Sequence, residues 1–254
     1  MRMNDKMTIT ITPNNSSPIS VSWSNKDNLR KWASIQHYQS GLLKSYSHSI
    51  FEINFSLYIK SLWNSIEKIN AFNNFPNNPI ILDIGCGIGV IDLFLYQYLK
   101  GGNFFLIDKN ILEEFKDSLY CRDYTFYNSW EPLWDGIETS GMHKENFNTL
   151  DPSDVWPNNI DLIMSNFSWC WHYPVDVYLD KVVSCLNPNG KLLLTIRYLD
   201  EIDVIEIISD KLKSKPIRIP YYKSQQLQKH DSIKYSDPKI YGGLCLWTNN
   251  IKSI

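Results

Sequence analysis

The chain has 254 residues, enough for one large α/β domain with a substantial core and an appended cap. Its 25 Lys and Arg residues almost balance its 27 Asp and Glu residues, and no segment forms a basic stripe, so a nucleic-acid partner is not expected. Its five cysteines include no CxxC pair, which favours reduced thiols in a cytoplasmic protein without a metal site. The N-terminus lacks the unbroken apolar segment of a signal peptide, and the longest apolar runs have strand length, so neither secretion nor a membrane span is expected.

The first residues predict a short extended element followed by a helix. Residues 8–22 alternate Thr with Ile around a Pro-Asn-Asn-Ser-Ser-Pro break, which indicates a short hairpin or an ordered arm. Ser24 and Asp27 have the pattern of a capping box, so a helix is expected to begin near Lys26.

A long helix and a linker are expected next. Apolar residues recur every three or four positions over residues 46–69, which predicts one amphipathic helix. Residues 70–79 are rich in Asn and Pro and form the clearest linker. We therefore expect an N-terminal arm and helical cap over residues 1–75 and a larger domain over residues 76–254.

Beyond the linker, short apolar runs alternate with helical patterns. The expected strands are 79–84, 103–110, 147–152, 159–166, 191–197, 215–222 and 242–248. The expected helices are 90–102, 130–141, 174–186 and 200–213. Such alternation predicts βαβ units and a mainly parallel sheet, in which ligands bind beyond the carboxyl ends of the strands.

The first of these strands leads into a glycine loop that begins with an acid. Residues 81–90 read ILDIGCGIGV, with Asp83 two residues before Gly85 and Gly87 two residues after it. A dinucleotide fingerprint, GxGxxG, would place its third glycine at position 90, where Val90 stands. The loop instead has the form D-x-G-x-G-x-G, which resembles motif I of the class I S-adenosylmethionine (SAM)-dependent methyltransferases.

This resemblance implies roles for the residues of the loop. SAM carries an ammonium, a sulfonium and a carboxylate, and Asp83 is expected to favour its positive end, directly or through water. Gly85, Cys86 and Gly87 are expected to let the backbone lie against the methionyl chain and the ribose. A tight strand–helix turn without a ligand is the alternative interpretation.

Further segments resemble the same family. Asp108 ends the second strand, where an acid accepts hydrogen bonds from the ribose hydroxyls, although NAD enzymes place an acid there too. Lys109 follows, where the family often has an apolar residue against adenine. The segment NIDLIMSNFSW resembles motif IV and places Asn166 at the cofactor, and CLNPNGKLLLTIR resembles L-x-P-G-G-x-L with Asn189 in place of the first glycine.

The resemblance covers roughly residues 79–197 and implies a Rossmann-like class I methyltransferase sheet with an N-terminal helical cap. That sheet is mainly parallel, and its antiparallel last strand would be 242–248. For adenine recognition we select Asp151, with Asn128 or Ser129 as the alternative.

The acceptor side is expected in the loop after the strand 159–166. His172 is the candidate catalytic residue, as a general base for a hydroxyl acceptor or as a group that orients an anionic oxygen. Core packing is the alternative role for the aromatic residues of this loop and for the lid residues of the N-terminal segment. The candidate substrate-binding residues are Trp169, Trp171, Tyr173, Arg197, Tyr46 and His37.

The expected function is therefore methyl transfer from SAM, with S-adenosylhomocysteine (SAH) as product. The chain resembles small-molecule O-methyltransferases of bacterial surface-glycan pathways, which implies capsule or glycan intermediates bearing sugar, phosphate or phosphoramidate groups as acceptors. N-methylation of a small amine, a SAM-binding protein without catalysis and an NAD-dependent redox enzyme are the alternatives. A small-molecule acceptor is the expected partner, and formation of a homodimer is possible.

Overall fold

The computed structural model describes the backbone of most of the chain. The described residues are 6–14, 16–37, 48–108, 113–114, 125–126, 128–170, 173–197, 201–222 and 240–250. In chain order the strands are β1 (Met7–Ile11), β2 (Ile19–Trp23), β3 (Ile80–Ile84), β4 (Asn103–Ile107), β5 (Glu113–Glu114), β6 (Thr125–Phe126), β7 (Phe147–Leu150), β8 (Ile160–Ser165), β9 (Leu186–Arg197), β10 (Ile217–Tyr222) and β11 (Ile240–Thr248). The helices are α1 (Lys26–His37), α2 (His48–Lys68), α3 (Val90–Leu99), α4 (Glu131–Thr139), α5 (Leu179–Cys185) and α6 (Glu201–Leu212).

A seven-stranded sheet organises these elements in the order β10-β11-β9-β8-β3-β4-β7. Strands β7, β4, β3, β8 and β9 pair in parallel, and β11 runs antiparallel to both β9 and β10. The predicted fold class, a mainly parallel sheet with an antiparallel last strand, is thereby confirmed. Because β3 lies between β4 and β8, the loops that follow these three strands meet at one edge of the sheet.

The central strands are apolar on both faces because helices cover both sides of the sheet. On β3, Ile81 belongs to a hydrophobic cluster that contains Leu93 of α3. The next residue, Leu82, belongs to a second cluster, which contains Val182 of α5. Asp83 follows on the same face as Ile81, since successive side chains of a strand alternate between faces.

The N-terminal segment is built into the first of these clusters. Strands β1 and β2 form an antiparallel hairpin whose Met7, Ile9 and Ile11 are buried. Trp23 is fully buried, and its indole N–H donates to the carbonyl of Pro132 at 3.0 Å. The hairpin and the cap helix α2 therefore share a core with the sheet.

The predicted linker is also tied to the sheet. The ammonium group of Lys191, on β9, donates to the carbonyl oxygens of Ala71 at 3.0 Å and Asn73 at 2.5 Å. Ala71 and Phe72 are buried. The boundary proposed between residues 75 and 76 thus separates elements that pack together. Among the described residues, no helix combines the length and the hydropathy needed to span a membrane.

Local details differ from the sequence predictions at two helix ends. Helix α1 begins at Lys26 as expected, but its first turn is capped by Asn25, whose side-chain oxygen accepts from Asn28 N at 3.0 Å. The predicted helix 174–186 is shorter, because residues 175–177 form a 3₁₀ turn and α5 begins only at Leu179. The Val175 carbonyl bonds instead to the indole of Trp169 at 3.2 Å.

Asp135 of α4 joins the hairpin to the sheet domain. Its Oδ1 accepts from Ser24 N at 3.1 Å and Ser24 Oγ at 2.5 Å, and its Oδ2 accepts from Asn25 N at 3.0 Å. Thr139 Oγ1 donates to the same carboxylate at 3.0 Å. Burial alone would raise the pKa of Asp135, but these hydrogen bonds outweigh it and lower the pKa below its ordinary value.

We predict that Asp135→Ala lowers the free energy of unfolding by about 1–2 kcal/mol, because several donors lose a charged acceptor at a partly exposed site. Since folding lowers the pKa of Asp135, the stabilisation is present above the ordinary carboxyl range and fades as the pH falls through the folded-state pKa. Urea unfolding at neutral and acid pH measures both effects. Glu138→Ala, an exposed position on the same helix, is the matched control and is expected to change little; equal stabilities of the two variants would contradict the prediction.

Candidate functional site

The glycine loop between β3 and α3 folds back onto the end of β4. Gly85 N and Cys86 N both donate to the carbonyl of Ile107, at 2.7 and 3.2 Å. Gly89 N closes the turn on the Cys86 carbonyl at 3.0 Å. The loop is therefore held at the carboxyl edge of the sheet, in the place that the sequence predicts.

Gly85 is required by a neighbouring loop as well as by its own backbone. Its φ is +72°, and a Cβ at this position would lie 1.9 Å from Ser168 Oγ and 2.3 Å from Ser168 Cβ. Ser168 belongs to the loop after β8, on which the sequence analysis places the acceptor. The sequence analysis explained Gly85 by the approach of the cofactor or by a tight strand–helix turn, whereas the structure shows that contact between the two loops also excludes a side chain.

The backbone of Gly87 is bound on both sides by polar side chains. Asp108, at the end of β4, accepts a hydrogen bond from Gly87 N at 2.7 Å. Asn128 Nδ2 donates to the Gly87 carbonyl at 2.8 Å. Asp108 therefore holds the glycine loop in addition to the role at the ribose that the sequence predicts for it, and Asn128 lies beside the same loop.

Two buried carboxyl groups lie beneath the loop. Asp83 on β3 is 3% exposed and Asp92 on α3 is 0% exposed, and their carboxyl groups interact with each other. Oδ1 of Asp83 and both oxygens of Asp92 receive no hydrogen bond from any N–H or hydroxyl group of the described residues. Burial raises the pKa of Asp83 well above its usual range, and the charges of Asp92 and Asp108 raise it further. Burial likewise raises the pKa of Asp92, to about 7.

The potential around the loop is negative. Burial raises the pKa of the Cys86 thiol, and the charges of Asp108, Asp83 and Asp92 add to that effect. Asp83, Cys86, Asp92 and Asp108 come from β3, the loop, α3 and the end of β4, so several elements bring acidic groups to one place. Such a site favours a ligand that carries positive charge.

Asp151 lies beyond β7 on an exposed turn. Its carboxylate accepts from Ser153 N at 3.0 Å and Ser153 Oγ at 2.7 Å. Burial raises the pKa of Tyr178, and the charges of Asp108 and Asp151 raise it further. The Tyr178 ring packs against Trp156, with centroids 5.5 Å apart. Tyr178 therefore lies within electrostatic reach of the acid selected for adenine.

The loop after β8 is anchored to β3 through a buried hydroxyl. Ser165 Oγ donates to the Ile84 carbonyl at 2.7 Å and accepts from Trp169 N at 2.9 Å. Asn166 Oδ1 lies 3.5 Å from Thr195 Oγ1, while its Nδ2 is buried and has no acceptor among the described residues. Phe167 and Cys170 have φ of +59° and +61°, an uncommon conformation for residues with side chains.

Trp169 is a core residue. Its side chain is 0% exposed, its indole donates to the Val175 carbonyl at 3.2 Å, and its ring meets that of Tyr178 edge-on at 6.1 Å. Core packing, which the sequence analysis gave as the alternative role, therefore accounts for Trp169. We do not retain Trp169 as a substrate contact. Tyr173 is half-buried, and its carbonyl accepts from Cys170 N at 3.0 Å.

Several predicted site residues lie outside the described part of the chain. These are Tyr46, Lys109, Trp171 and His172. His37 and Arg197 end α1 and β9, and Arg197 pairs with Gly242 in the sheet, but their side chains are outside the described residues. The remaining predicted residues, at the glycine loop, Asp108, Asn166 and Tyr173, follow β3, β4 and β8 as expected.

Sequence reasoning missed three residues of this site. Asp92 has the clearest signal, since it is an acid inside the apolar helix VIDLFLYQYL. Ser168 and Tyr178 have no signal in the sequence, because their contacts form only when folding brings separate loops together.

Comparisons with known proteins identify the fold. No protein-family profile matches the sequence, and no curated protein is detectably similar in sequence. A magnesium protoporphyrin IX methyltransferase from Synechocystis with bound SAM is 12% identical, with a TM-score of 0.51 over 88% of this chain and 96% of that one. An rRNA methylase from Streptococcus thermophilus is 11% identical, with a TM-score of 0.45 over 75% and 95% of the two chains. The Synechocystis structure shows that this chain has the Rossmann-like fold of the class I SAM-dependent methyltransferases.

We predict that Gly85→Ala destabilises the protein more than Gly141→Ala does. Both glycines have positive φ, +72° and +66°, but a Cβ at Gly141 meets nothing within 4 Å. Gly141→Ala therefore reports only the backbone strain, about 1–2 kcal/mol, and the excess at Gly85 reports the collision with Ser168.

A double-mutant cycle with Ser168→Gly tests the contact directly. The pair Gly85→Ala and Ser168→Gly is expected to be more stable than the sum of the single effects, because the second change removes the atoms that collide. Free energies of unfolding from urea titrations measure each term. Equal losses for Gly85→Ala and Gly141→Ala would show that the two loops do not press on each other.

Proposed function

We propose that the protein is a SAM-dependent methyltransferase that acts on an oxygen of a small polar acceptor. The observation that carries this proposal is the glycine loop at the carboxyl edge of a methyltransferase-type sheet. Asp83 precedes this loop on β3, and Asp108, at the end of β4, accepts a hydrogen bond from it. At low sequence identity the fold alone does not establish an activity, so the support comes from these residues.

The described residues fit SAM at this edge. We assign the backbone of Gly87 to a contact with the ligand and Asp108, which accepts from Gly87 N, to the ribose hydroxyls, and the acidic surroundings of Asp83 suit an ammonium. SAM supplies an activated methyl group on a sulfonium when it is bound. The chain then has to align the acceptor with that methyl group and exclude water from it.

The side chain of Asn166 supports the binding of a ligand oxygen, from either the methyl acceptor or the carboxylate of SAM. Its Nδ2 is a buried donor with no acceptor among the described residues, and a buried N–H without a partner is costly. A ligand oxygen in the cleft would complete its hydrogen bonds. N-methylation of a small amine is the runner-up, and a SAM-binding protein without catalysis has the same cofactor residues.

The acceptor class is a sugar or a phosphate- or phosphoramidate-bearing intermediate of capsule or surface-glycan biosynthesis. Support for this class comes from the resemblance of the strand-and-loop segments to small-molecule O-methyltransferases. We assign His172 the role of base or orienting group, with Trp171, Tyr173, Arg197, Tyr46 and His37 as acceptor contacts. Lys109 and Asp151 complete the cofactor contacts.

We predict that Asp108→Asn weakens SAH binding about 10- to 100-fold, because hydrogen bonds to a charged group contribute about 1.5–3 kcal/mol each. The amide keeps the size of the side chain and an acceptor oxygen for Gly87 N, so the loop is expected to stay folded. Calorimetric titration with SAH, SAM and NADH measures the affinity and the choice of ligand.

Asp210→Asn, an exposed position on α6, is the matched control and is expected to bind SAH as the wild type does. Unchanged SAH affinity in Asp108→Asn would remove Asp108 from the ribose site. Binding of NADH but not of SAH or SAM by the wild type would replace the methyltransferase proposal with the redox alternative.

We predict that His172→Ala reduces methyl transfer to a neutral hydroxyl acceptor by about 10²–10⁴-fold and leaves SAM affinity unchanged. The wild-type rate is then expected to rise with pH through the histidine pKa, because only neutral imidazole accepts a proton. With an anionic acceptor oxygen, the rate needs no such deprotonation. A screen of sugar nucleotides and phosphorylated metabolites supplies the acceptor, and a pH–rate profile distinguishes the two roles. His143→Ala, at a 73% exposed histidine, is the control; full turnover in His172→Ala would exclude that residue.

A further inference from the structure

Asp92 is a buried acid that the proposed function does not yet use. It lies in the first turn of α3 between Ile91 and Leu93, all buried, in a helix whose other inward residues are apolar. An ionised carboxylate in such surroundings is costly unless a cation or hydrogen-bond donors compensate it. A reason is therefore needed for an acid at this position.

The contacts of Asp92 do not provide a cation. Its side chain interacts with that of Asp83, and its oxygens receive no hydrogen bond from an N–H or hydroxyl group of the described residues. No Lys, Arg or His of the described part of the chain pairs with either acid. Two buried carboxyl groups that interact without a cation or a donor do not both ionise readily. The pair is therefore expected to hold one proton and one negative charge.

The acidic groups around the pair favour retention of that proton, whereas the first turn of α3, in which Asp92 lies, favours its ionised form. Asp108 faces it from the end of β4, and the Cys86 thiol faces it from the loop. Both are acids, so neither offsets the negative charge. Burial raises the pKa values of Asp83 and Asp92, and like charges in one buried site do not both ionise readily. The proton belongs to the pair as a unit, and its pKa is a property of both residues.

We infer that Asp92 is a positioning residue that shares a proton with Asp83 and releases it when the ammonium group of the cofactor binds. The inference rests on the proposed function, because it takes SAM or SAH as the ligand. Before binding, the pair holds one proton and carries one negative charge. After binding, the pair carries two negative charges beside the bound ammonium, and the proton has left to solvent. No covalent bond to carbon, nitrogen or sulfur changes.

The sign of the pH dependence follows from this exchange. A ligand cation stabilises the ionised pair, so binding lowers the pKa of the pair and releases a proton. The affinity for SAH is then expected to rise with pH below that pKa, by up to about tenfold per pH unit. A merely structural role for Asp92 would lower stability or affinity without linking either of them to protons.

Calorimetry on the full chain measures the released proton directly. SAH is titrated at about pH 6.5, below the usual range of α-amino groups of about 7.7–8.0, in MES and in imidazole buffer. The difference in binding heat between buffers of different ionisation enthalpy gives the number of protons released. We expect a substantial fraction of one proton for SAH. We expect none for 5′-methylthioadenosine, which has the nucleoside but lacks the amino-acid part.

Asp92→Asn is the matched variant. The amide has nearly the same shape and donates an N–H to Asp83, so Asp83 no longer needs a shared proton. We expect SAH to bind this variant without proton release and with little dependence on pH. Asp210→Asn is expected to release the same fraction of a proton as the wild type.

A measurement without ligand makes the test independent of binding. Because folding raises the pKa values of the pair, its protonated form stabilises the protein most at acid pH, and that contribution is lost as the pH rises through the folded-state pKa. Relative to the wild type, Asp92→Asn is therefore expected to lose less stability between acid and neutral pH. If Asp92→Asn does not fold, the comparison of SAH with 5′-methylthioadenosine on the wild type decides the question.

The outcomes separate this inference from the proposed function. SAH binding without proton release, or equal release with 5′-methylthioadenosine, overturns the role of the pair and leaves the methyltransferase proposal intact. Failure of the wild type to bind SAH and SAM overturns both. Proton release that persists in Asp92→Asn assigns the titration to another group and also overturns the inference.

Discussion

The candidate site depends on contact between two loops that come from neighbouring parallel strands. Gly85 after β3 and Ser168 after β8 approach so closely that no side chain fits at position 85. The hydroxyl of Ser165 reinforces this contact, since it bonds to the end of β3 and to the backbone of the second loop. The two loops are therefore packed against each other, and the proposed donor and acceptor sides of the cleft meet at this contact.

The charges of the site are arranged around this contact in an unusual way for a protein interior. Acidic groups converge from three elements, and the described residues provide no cation among them. Burial and like charges in an interior of this kind favour protons that neutralise part of the charge. A positively charged ligand satisfies the same requirement, so protons and ligand compete for one electrostatic role.

Much of the fold could be predicted from the sequence because the decisive signals are local. The apolar runs at β3, β4 and β8 and the periodicity of α2 give the elements their type, and the antiparallel last strand β11 follows from the family resemblance. The glycine loop and Asp108 were likewise visible, since their roles depend on position along a strand. Ser168 and Tyr178 were not, because their contacts join distant segments. Trp169 was misread as a ligand contact because an aromatic residue in a loop has the same pattern whether it faces a cleft or the core.

The small size of Gly136 on α4 has a consequence for how the protein can be divided. A Cβ at this position would lie 2.8 Å from the indole nitrogen of Trp23 and 2.6 Å from Leu93 Cδ1, so Trp23, the last residue of β2, is seated against bare helix backbone. Removal of residues 1–75 would leave a tryptophan-sized apolar trough open to water on α3 and α4. Expressed without its N-terminal segment, the sheet domain would be prone to self-association through that trough. The hairpin therefore covers an apolar surface of α3 and α4, and a truncation that keeps this surface out of water has to retain the hairpin.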